Sequence, residues 1–161
     1  MQPGDLVEDF TLPDQDGNPV SLSDFKGKTV VLFFYPKADT PGCTIEACGF
    51  RDTFEKLQAA GAVVLGISRD TVKAQKKFQQ KYDLPYPLLA DPEMILIKRY
   101  DLLKNKIMYG KPVTGVERTT YVISADTGKG QRLLHIFPKV TPEGHAEQVL
   151  ALLKDAKAGK S

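Results

Sequence analysis

The stretch from Val30 to Arg51 reads VVLFFYPKADTPGCTIEACGFR, and the rest of the chain can be placed around it. Its first six residues form an apolar run rich in β-branched and aromatic side chains, which is typical of a buried strand. A loop with two prolines and a glycine follows, and from Cys43 onward the apolar residues recur at helical spacing. The stretch therefore predicts a strand, a tight loop and a helix, with Cys43 where the helix begins.

This position predicts that Cys43 is reactive. The N-terminus of a helix carries partial positive charge and unpaired backbone N–H groups, and such surroundings favour the thiolate, which is the reactive form of cysteine. Thr40 lies three residues earlier and can direct its hydroxyl to the sulfur or to a bound substrate oxygen. A permanent cation would stabilise the thiolate further, and Arg118 and Arg51 are the two candidates. Spacing alone does not choose between them.

The second cysteine, Cys48, lies five residues after Cys43. On an ideal helix this spacing separates the two Cα atoms by about 8–9 Å, whereas a disulfide requires about 4.4–6.8 Å. A bond between them therefore requires the first turns of the helix to unwind. A sulfenic acid on Cys43 would then condense with Cys48 to a disulfide, which is the reversible branch of thiol oxidation.

Length and composition are those of an ordinary globular protein. The chain has 161 residues, of which 42% are hydrophobic and 26% charged, and its net charge is +2. We expect one domain over residues 1–161. The balanced charge argues against a nucleic-acid partner, and no apolar run approaches the ~20 residues of a membrane span. We expect a cytoplasmic location, with a plastid location after removal of a transit peptide left open.

Strands and helices alternate along the chain, which predicts an α/β sheet covered by helices on both faces. The least readable part covers residues 101–117, where 108–112 are expected to form a loop. The predicted elements are an N-terminal hairpin (10–12 with 20–22), strands 29–35 and 62–68, helices 43–60, 71–82 and 92–100, an extended piece 84–91, a hairpin (119–124 with 132–137) and a final helix after 142–144.

A metal site is not predicted. It would need Cys43, Cys48, His135 and His145, and their spacings do not match familiar zinc motifs. We expect His135 to be a half-exposed strand residue and His145 to begin the last helix. No phosphate-binding glycine loop is present, so a nucleotide cofactor has no support either.

Three carboxylates near the predicted strand and helix ends, Asp39, Glu46 and Asp91, show no acid–base pairing that the sequence can establish. Two other readings of the cysteines stay open at this point. A disulfide reductase would normally carry a C-x-x-C pair, and a non-catalytic redox sensor would use the same helix as a switch. A permanent structural disulfide is opposed by the helical spacing.

The segment from Phe34 to Asp52 resembles the active-site segment of the peroxiredoxin family, and more narrowly its bacterioferritin comigratory protein, or peroxiredoxin Q, branch. Pro36, Thr40 and Cys43 coincide at the spacing of that motif, with the second cysteine five residues on. Other parts of the chain that look like this branch are Met108–Lys111, Gly115–Thr120, Pro138–Val140 and Gly144–Ala146.

The resemblance implies a thioredoxin-like fold with a central mixed sheet and an added N-terminal hairpin. It implies a thiol peroxidase for hydrogen peroxide and organic hydroperoxides, in which Cys43 is the peroxidatic and Cys48 the resolving cysteine. Thr40 and Arg118 would hold the peroxide and stabilise the thiolate, and Pro36 would shield the site. The Cys43–Cys48 disulfide would be reduced by thioredoxin or a similar dithiol protein. No cofactor is implied, and we expect a monomer.

Overall fold

The computed structural model describes residues 1–126 and 128–158. None of the helices in these two ranges is both long enough and apolar enough to cross a bilayer. The strands are β1 (Thr11–Pro13), β2 (Pro19–Ser21), β3 (Thr29–Phe34), β4 (Ala62–Ser68), β5 (Leu88–Ala90), β6 (Leu103–Met108), β7 (Lys111–Val116), β8 (Thr119–Ile123) and β9 (Leu133–Phe137), and the helices are α1 (Pro41–Ala59), α2 (Val72–Lys81), α3 (Ile95–Arg99) and α4 (His145–Ala158).

A five-stranded mixed sheet in the order β5-β4-β3-β8-β9 forms the centre of the protein. β3, β4 and β5 run parallel, whereas β8 pairs antiparallel with β3 and β9 antiparallel with β8. The N-terminal hairpin β1–β2 forms a small sheet of its own. This architecture confirms the predicted α/β fold with an added hairpin.

Both faces of β3 are buried, as its uninterrupted apolar run predicts. The connections β3–α1–β4 and β4–α2–β5 cross in the same direction, and right-handed crossovers therefore place α1 and α2 on the same face. On this face, which α4 also covers, lie Val31, Phe33 and Tyr35. The opposite face packs against α3 and the N-terminal segment, and it contains Val30, Leu32 and Phe34.

The register of the sheet brings two distant parts of the sequence together. Phe34, the last residue of β3, pairs with Thr119, the first residue of β8. The loop that follows β3 and the residue that precedes β8 are therefore neighbours at one edge of the sheet. Cys43 lies just beyond the first of these segments and Arg118 lies in the second.

The helix predicted for residues 92–100 begins later than expected, because α3 starts at Ile95. Asp91 explains the difference. Its carboxylate accepts hydrogen bonds from the backbone amides at the start of the helix, including that of Ile95 at 2.8 Å. Pro92 lies instead in a turn that ends at Met94, whose φ is 56°. A side chain that caps a helix fixes where the helix starts.

The loop predicted for residues 108–112 was also wrong in its extent. β6 and β7 form a hairpin whose register pairs Met108 with Lys111, so only Tyr109 and Gly110 make the turn. This hairpin is mostly exposed; Ile107, for example, is 82% exposed. It therefore lacks the alternation of buried and exposed residues on which strand prediction depends.

Candidate active site

Cys43 is the third residue of α1, and its side chain is almost completely buried. The geometry of a helix leaves the amides of Gly42 and Cys43 without intrahelical acceptors, so the first turn of α1, which carries Cys43, has free backbone donors. α1 runs unbroken through both Cys43 and Cys48, and both cysteines are free thiols. The sulfur thus lies at the positive end of a helix that is intact as far as Ala59.

Arg118 reaches the sulfur from the end of the sheet. Its Nη2 lies 3.4 Å from Cys43 Sγ, and its Nη1 donates to Glu46 Oε1 at 2.9 Å. Arg51, the other candidate cation, instead donates to the carbonyl oxygen of Tyr82 at 2.8 Å. The structure therefore brings Arg118, and not Arg51, to the thiol.

Glu46 is a site residue for which the sequence showed no partner. Its side chain is fully buried against Arg118, and its Oε2 has no hydrogen-bond partner among the described residues. Burial raises the pKa of Glu46 to about 7, against the opposing attraction of Arg118. Burial lowers the pKa of Arg118, but the charges of Glu46 and Cys43 outweigh this effect and raise it. Glu46 lies three residues after Cys43 and therefore on the same helix face. This spacing is the feature of the sequence that could have indicated Glu46 as a site residue.

Gly42 allows the close approach of the guanidinium. A Cβ atom built on Gly42 would lie 3.0 Å from Arg118 Nη2 and 3.4 Å from a side-chain carbon of Pro142. A Cβ at this position would therefore require the end of the Arg118 side chain to shift by a few tenths of an ångström. The close approach of Arg118 is thus a steric reason for a glycine at position 42, and it is not evident from the sequence motif alone.

Thr40 and Pro36 precede Cys43 in the loop after β3, and in the part of the chain that the structure describes neither forms a hydrogen bond with the sulfur. Thr40 is the N-cap residue of α1, and its hydroxyl donates to the carbonyl oxygen of Lys37 at 2.8 Å. To donate to a bound peroxide, the Thr40 hydroxyl must give up its hydrogen bond to the Lys37 carbonyl oxygen. Pro36 is half-buried where the chain leaves β3.

The loop before Cys43 is held by the end of α2 and the end of β4. Asp39, with a φ of 60°, binds Lys81 Nζ at 2.9 Å and accepts from the Tyr82 hydroxyl at 2.9 Å. The amide of Ala38 donates to Asp70 at 2.8 Å. These bonds keep the loop in a strained turn that presents Cys43 to Arg118.

His145 begins α4, as expected, and its side chain is buried. Its Nε2 lies 2.7 Å from the hydroxyl of Thr120, and burial lowers its pKa. His135 is half-exposed on β9. No group of three or more side chains suited to hold a metal ion occurs among residues 1–126 and 128–158.

Known proteins resemble this chain over almost its whole length. The AhpC/TSA family model matches residues 3–128. A Coxiella burnetii protein assigned as a peroxiredoxin bcp is 46% identical over 153 residues, which is 95% of this chain and 99% of that protein. The structure of a cysteine-to-serine mutant of Xylella fastidiosa PrxQ has a TM-score of 0.90 and 35% identity, with 98% of both chains covered. A Xanthomonas campestris bacterioferritin comigratory protein, studied for alkyl peroxide reduction, has a TM-score of 0.84 and 37% identity, with 91% of both chains covered.

These matches agree with the local geometry. The matched range includes β3, the cysteine loop, α1 and Arg118, whereas Pro142 and His145 lie beyond it. The structural matches confirm the thioredoxin-like arrangement of the sheet and its helices. The chain belongs to the AhpC/TSA family, within its Bcp, or peroxiredoxin Q, branch, and is a peroxidase.

Proposed function

We propose that Cys43 reduces hydrogen peroxide and organic hydroperoxides as the peroxidatic nucleophile. The observation that carries this proposal is the contact between Arg118 Nη2 and Cys43 Sγ at 3.4 Å. The thiolate attacks one oxygen of the peroxide and the O–O bond breaks, which leaves a sulfenic acid on Cys43. The departing oxygen takes up a proton from solvent and leaves as water or an alcohol. The alkyl peroxide activity studied in the X. campestris relative supports the inclusion of organic hydroperoxides.

The surroundings of Cys43 suit the charge that moves in this step. Negative charge passes from sulfur to the departing oxygen, and a preorganised donor can follow it without reorganising. Arg118 offers two nitrogens, one held by Glu46 and one directed at the sulfur. The first turn of α1, which carries Cys43, also has backbone amides without intrahelical acceptors. Thr40 is the third proposed donor, and Pro36 limits access of water.

Cys48 is the proposed resolving cysteine. Its side chain is half-buried five residues along α1, and burial raises the pKa of its thiol despite the nearby positive charge of Arg51. The disulfide forms when the first turns of α1 unwind and Cys48 attacks the sulfenic acid of Cys43 with loss of water. Local unwinding is required because the helical spacing exceeds the span of a disulfide.

A thiol reductant completes the peroxiredoxin cycle, and for this protein we propose thioredoxin or a similar dithiol protein. We further propose a monomer that acts in the cytoplasm, where reducing systems keep thiols free. The proposed cycle uses only the two cysteines and the reductant, so it needs no bound cofactor. Size-exclusion chromatography with light scattering tests the monomer, because a dimer would have twice the mass expected from the sequence.

The test of both cysteine roles uses Cys43→Ser and Cys48→Ser, each as the control for the other. Cys43→Ser should lose peroxide consumption with thioredoxin and thioredoxin reductase. Cys48→Ser should react once with peroxide and then stop or over-oxidise. Intact mass after one equivalent of hydrogen peroxide should show the loss of about 2 Da in the wild type alone, reversed by thioredoxin. Peroxide turnover by Cys43→Ser would contradict the assignment.

A further inference from the structure

A buried tyrosine outside α1 holds the peptide unit that leads into Cys48. The hydroxyl of Tyr86 donates to the carbonyl oxygen of Ala47 at 2.6 Å. That carbonyl belongs to the Ala47–Cys48 peptide bond, so its position fixes the backbone at Cys48. Among residues 1–126 and 128–158, no other side chain forms a hydrogen bond with the backbone of residues 43–48.

Tyr86 is itself held firmly by the core. It lies in the connection between α2 and β5, and its side chain is 2% exposed. Its ring packs edge-on against that of Phe33 in β3, with 5.7 Å between the ring centroids. The centroid of the Phe54 ring, farther along α1, lies 6.1 Å away. Burial raises the pKa of Tyr86 well above its ordinary value, so the hydroxyl is a donor throughout the neutral range. The anchor therefore belongs to the part of the molecule that stays folded.

We propose that Tyr86 is a positioning residue that resists the unwinding of α1 at Cys48 and so sets how quickly Cys48 reaches oxidised Cys43. This inference rests on the proposed function, in which Cys48 resolves the sulfenic acid. Tyr86 acts through the Ala47 carbonyl and touches neither sulfur nor peroxide.

The physical reason is the fate of the Tyr86 hydroxyl when the helix opens. Moving the Ala47 carbonyl away leaves a buried hydroxyl without an acceptor, which costs more than an ordinary exposed hydrogen bond. A phenylalanine at position 86 has no hydroxyl that could be left without an acceptor, so this cost is absent in Tyr86→Phe. The folded helix loses little, because a carbonyl oxygen has two lone pairs and the Ala47 oxygen can still accept from within the helix.

Two reactions compete for the sulfenic acid of Cys43. In the first, the Cys48 thiol attacks it, forming the S–S bond and releasing water. In the second, another peroxide molecule oxidises it to sulfinic acid and leaves as water or alcohol. Unwinding of α1 is needed only for the first reaction. A change in the Tyr86 anchor should therefore alter the ratio of disulfide to sulfinic acid.

The experiment compares the wild type with Tyr86→Phe and Tyr100→Phe. Tyr100 is a matched control, since its hydroxyl is buried without a partner among the described residues, on the opposite face of the sheet. Rapid quench and intact mass at increasing hydrogen peroxide report both products. In Tyr86→Phe, disulfide formation should be about three- to tenfold faster, and half-maximal sulfinic acid should need more peroxide by the same factor. Tyr100→Phe should match the wild type, and the first reaction of Cys43 should be unchanged in all three.

Equal partitioning in Tyr86→Phe and Tyr100→Phe, or slower disulfide formation in Tyr86→Phe, would overturn the proposal. Amide hydrogen exchange gives a second measurement that does not depend on oxidation. Reduced Tyr86→Phe should exchange faster at residues 44–48 and at the wild-type rate at 55–59, whereas general destabilisation would accelerate both. Absence of a Cys43–Cys48 disulfide in the oxidised wild type would instead refute the proposed function itself, and this inference with it.

Discussion

The guanidinium of Arg118 joins two groups that differ in role. Glu46 binds one of its terminal nitrogens and thereby orients the other toward Cys43. A planar guanidinium can serve both partners at once, whereas a lysine ammonium at the end of a flexible chain has no fixed fork. Because the pKa of Glu46 is raised to about 7 by burial, its carboxyl is only partly ionised at neutral pH and only partly offsets the positive charge.

At this scale we predict that Arg118→Lys slows the reaction of Cys43 with peroxide about ten- to hundredfold, the range expected for the loss of hydrogen bonds to charged groups. Because lysine keeps the positive charge, a slower reaction would be due to the lost geometry of the guanidinium hydrogen bonds. Stopped-flow measurement of the second-order rate constant of the reduced protein provides the test. Arg51→Lys is the matched control and should react like the wild type, since Arg51 binds the Tyr82 carbonyl oxygen and not the sulfur. Equal rates in the two variants would contradict the role of Arg118.

The proposed cycle depends on α1. The folded helix places Cys43 at its N-terminus beside Arg118, and in the proposed cycle the unwound helix allows Cys48 to reach the same sulfur. Gly49 follows Cys48 directly and lies inside the helix. Glycine is a poor helix former, because it loses the most backbone entropy when ordered. The helix is therefore intrinsically weak next to the residue that must move.

We predict that Gly49→Ala stabilises α1 and slows disulfide formation by up to about fivefold, which corresponds to the difference of about 1 kcal/mol in helix propensity. The new Cβ would lie 3.7 Å from that of Ala146, an ordinary van der Waals distance, so it fits. Sulfinic acid should form at lower peroxide, the opposite of the change expected for Tyr86→Phe. Gly27→Ala, outside α1 and with open space around it, is the control. Faster disulfide formation in Gly49→Ala would contradict the expected role of α1 flexibility.

For the whole molecule, burial of the Glu46–Arg118 pair links stability to pH. The pKa of Glu46 is raised from 4.5 to about 7 in the folded state by burial, so folding favours the protonated carboxyl. This contribution is fully present below about pH 4.5 and is lost as pH rises through 7. His145, whose pKa is lowered by burial, has the opposite slope near neutrality. The two effects can be separated only by comparison with a variant.

We predict that, between pH 4.5 and pH 8, the wild type loses on the order of 3 kcal/mol of unfolding free energy relative to Glu46→Gln. His145 and the other titrating groups occur in both proteins, so their effects cancel in this difference. Urea denaturation at several pH values measures it. A difference that is constant with pH, or that favours the wild type as pH rises, would show that the pKa of Glu46 is not raised in the folded state.

Buried strands were easier to predict from the sequence than exposed ones. β3 and β4 were predicted closely because both their faces are apolar, whereas β6 and β7 were missed because exposed strands carry no such pattern. The start of α3 was misplaced since it depends on the Asp91 carboxylate, whose hydrogen bonds are not visible in spacing. The same holds for Asp39 and Glu46, whose partners Lys81 and Arg118 lie 42 and 72 residues away along the chain.

Local sequence patterns were enough to predict the strand, loop and helix around Cys43, and they support the proposal that this helix opens before Cys48 reacts. These features depend on local periodicity and on the fixed rise of a helix. Local patterns could not choose between Arg118 and Arg51 as the cation at the sulfur. Arg118 occupies that place because the antiparallel register of β3 with β8 brings together residues 75 positions apart. The tertiary structure also decided that Glu46 orients that arginine and that Tyr86 holds the helix at Cys48, since both contacts join elements whose spatial relation no local pattern encodes.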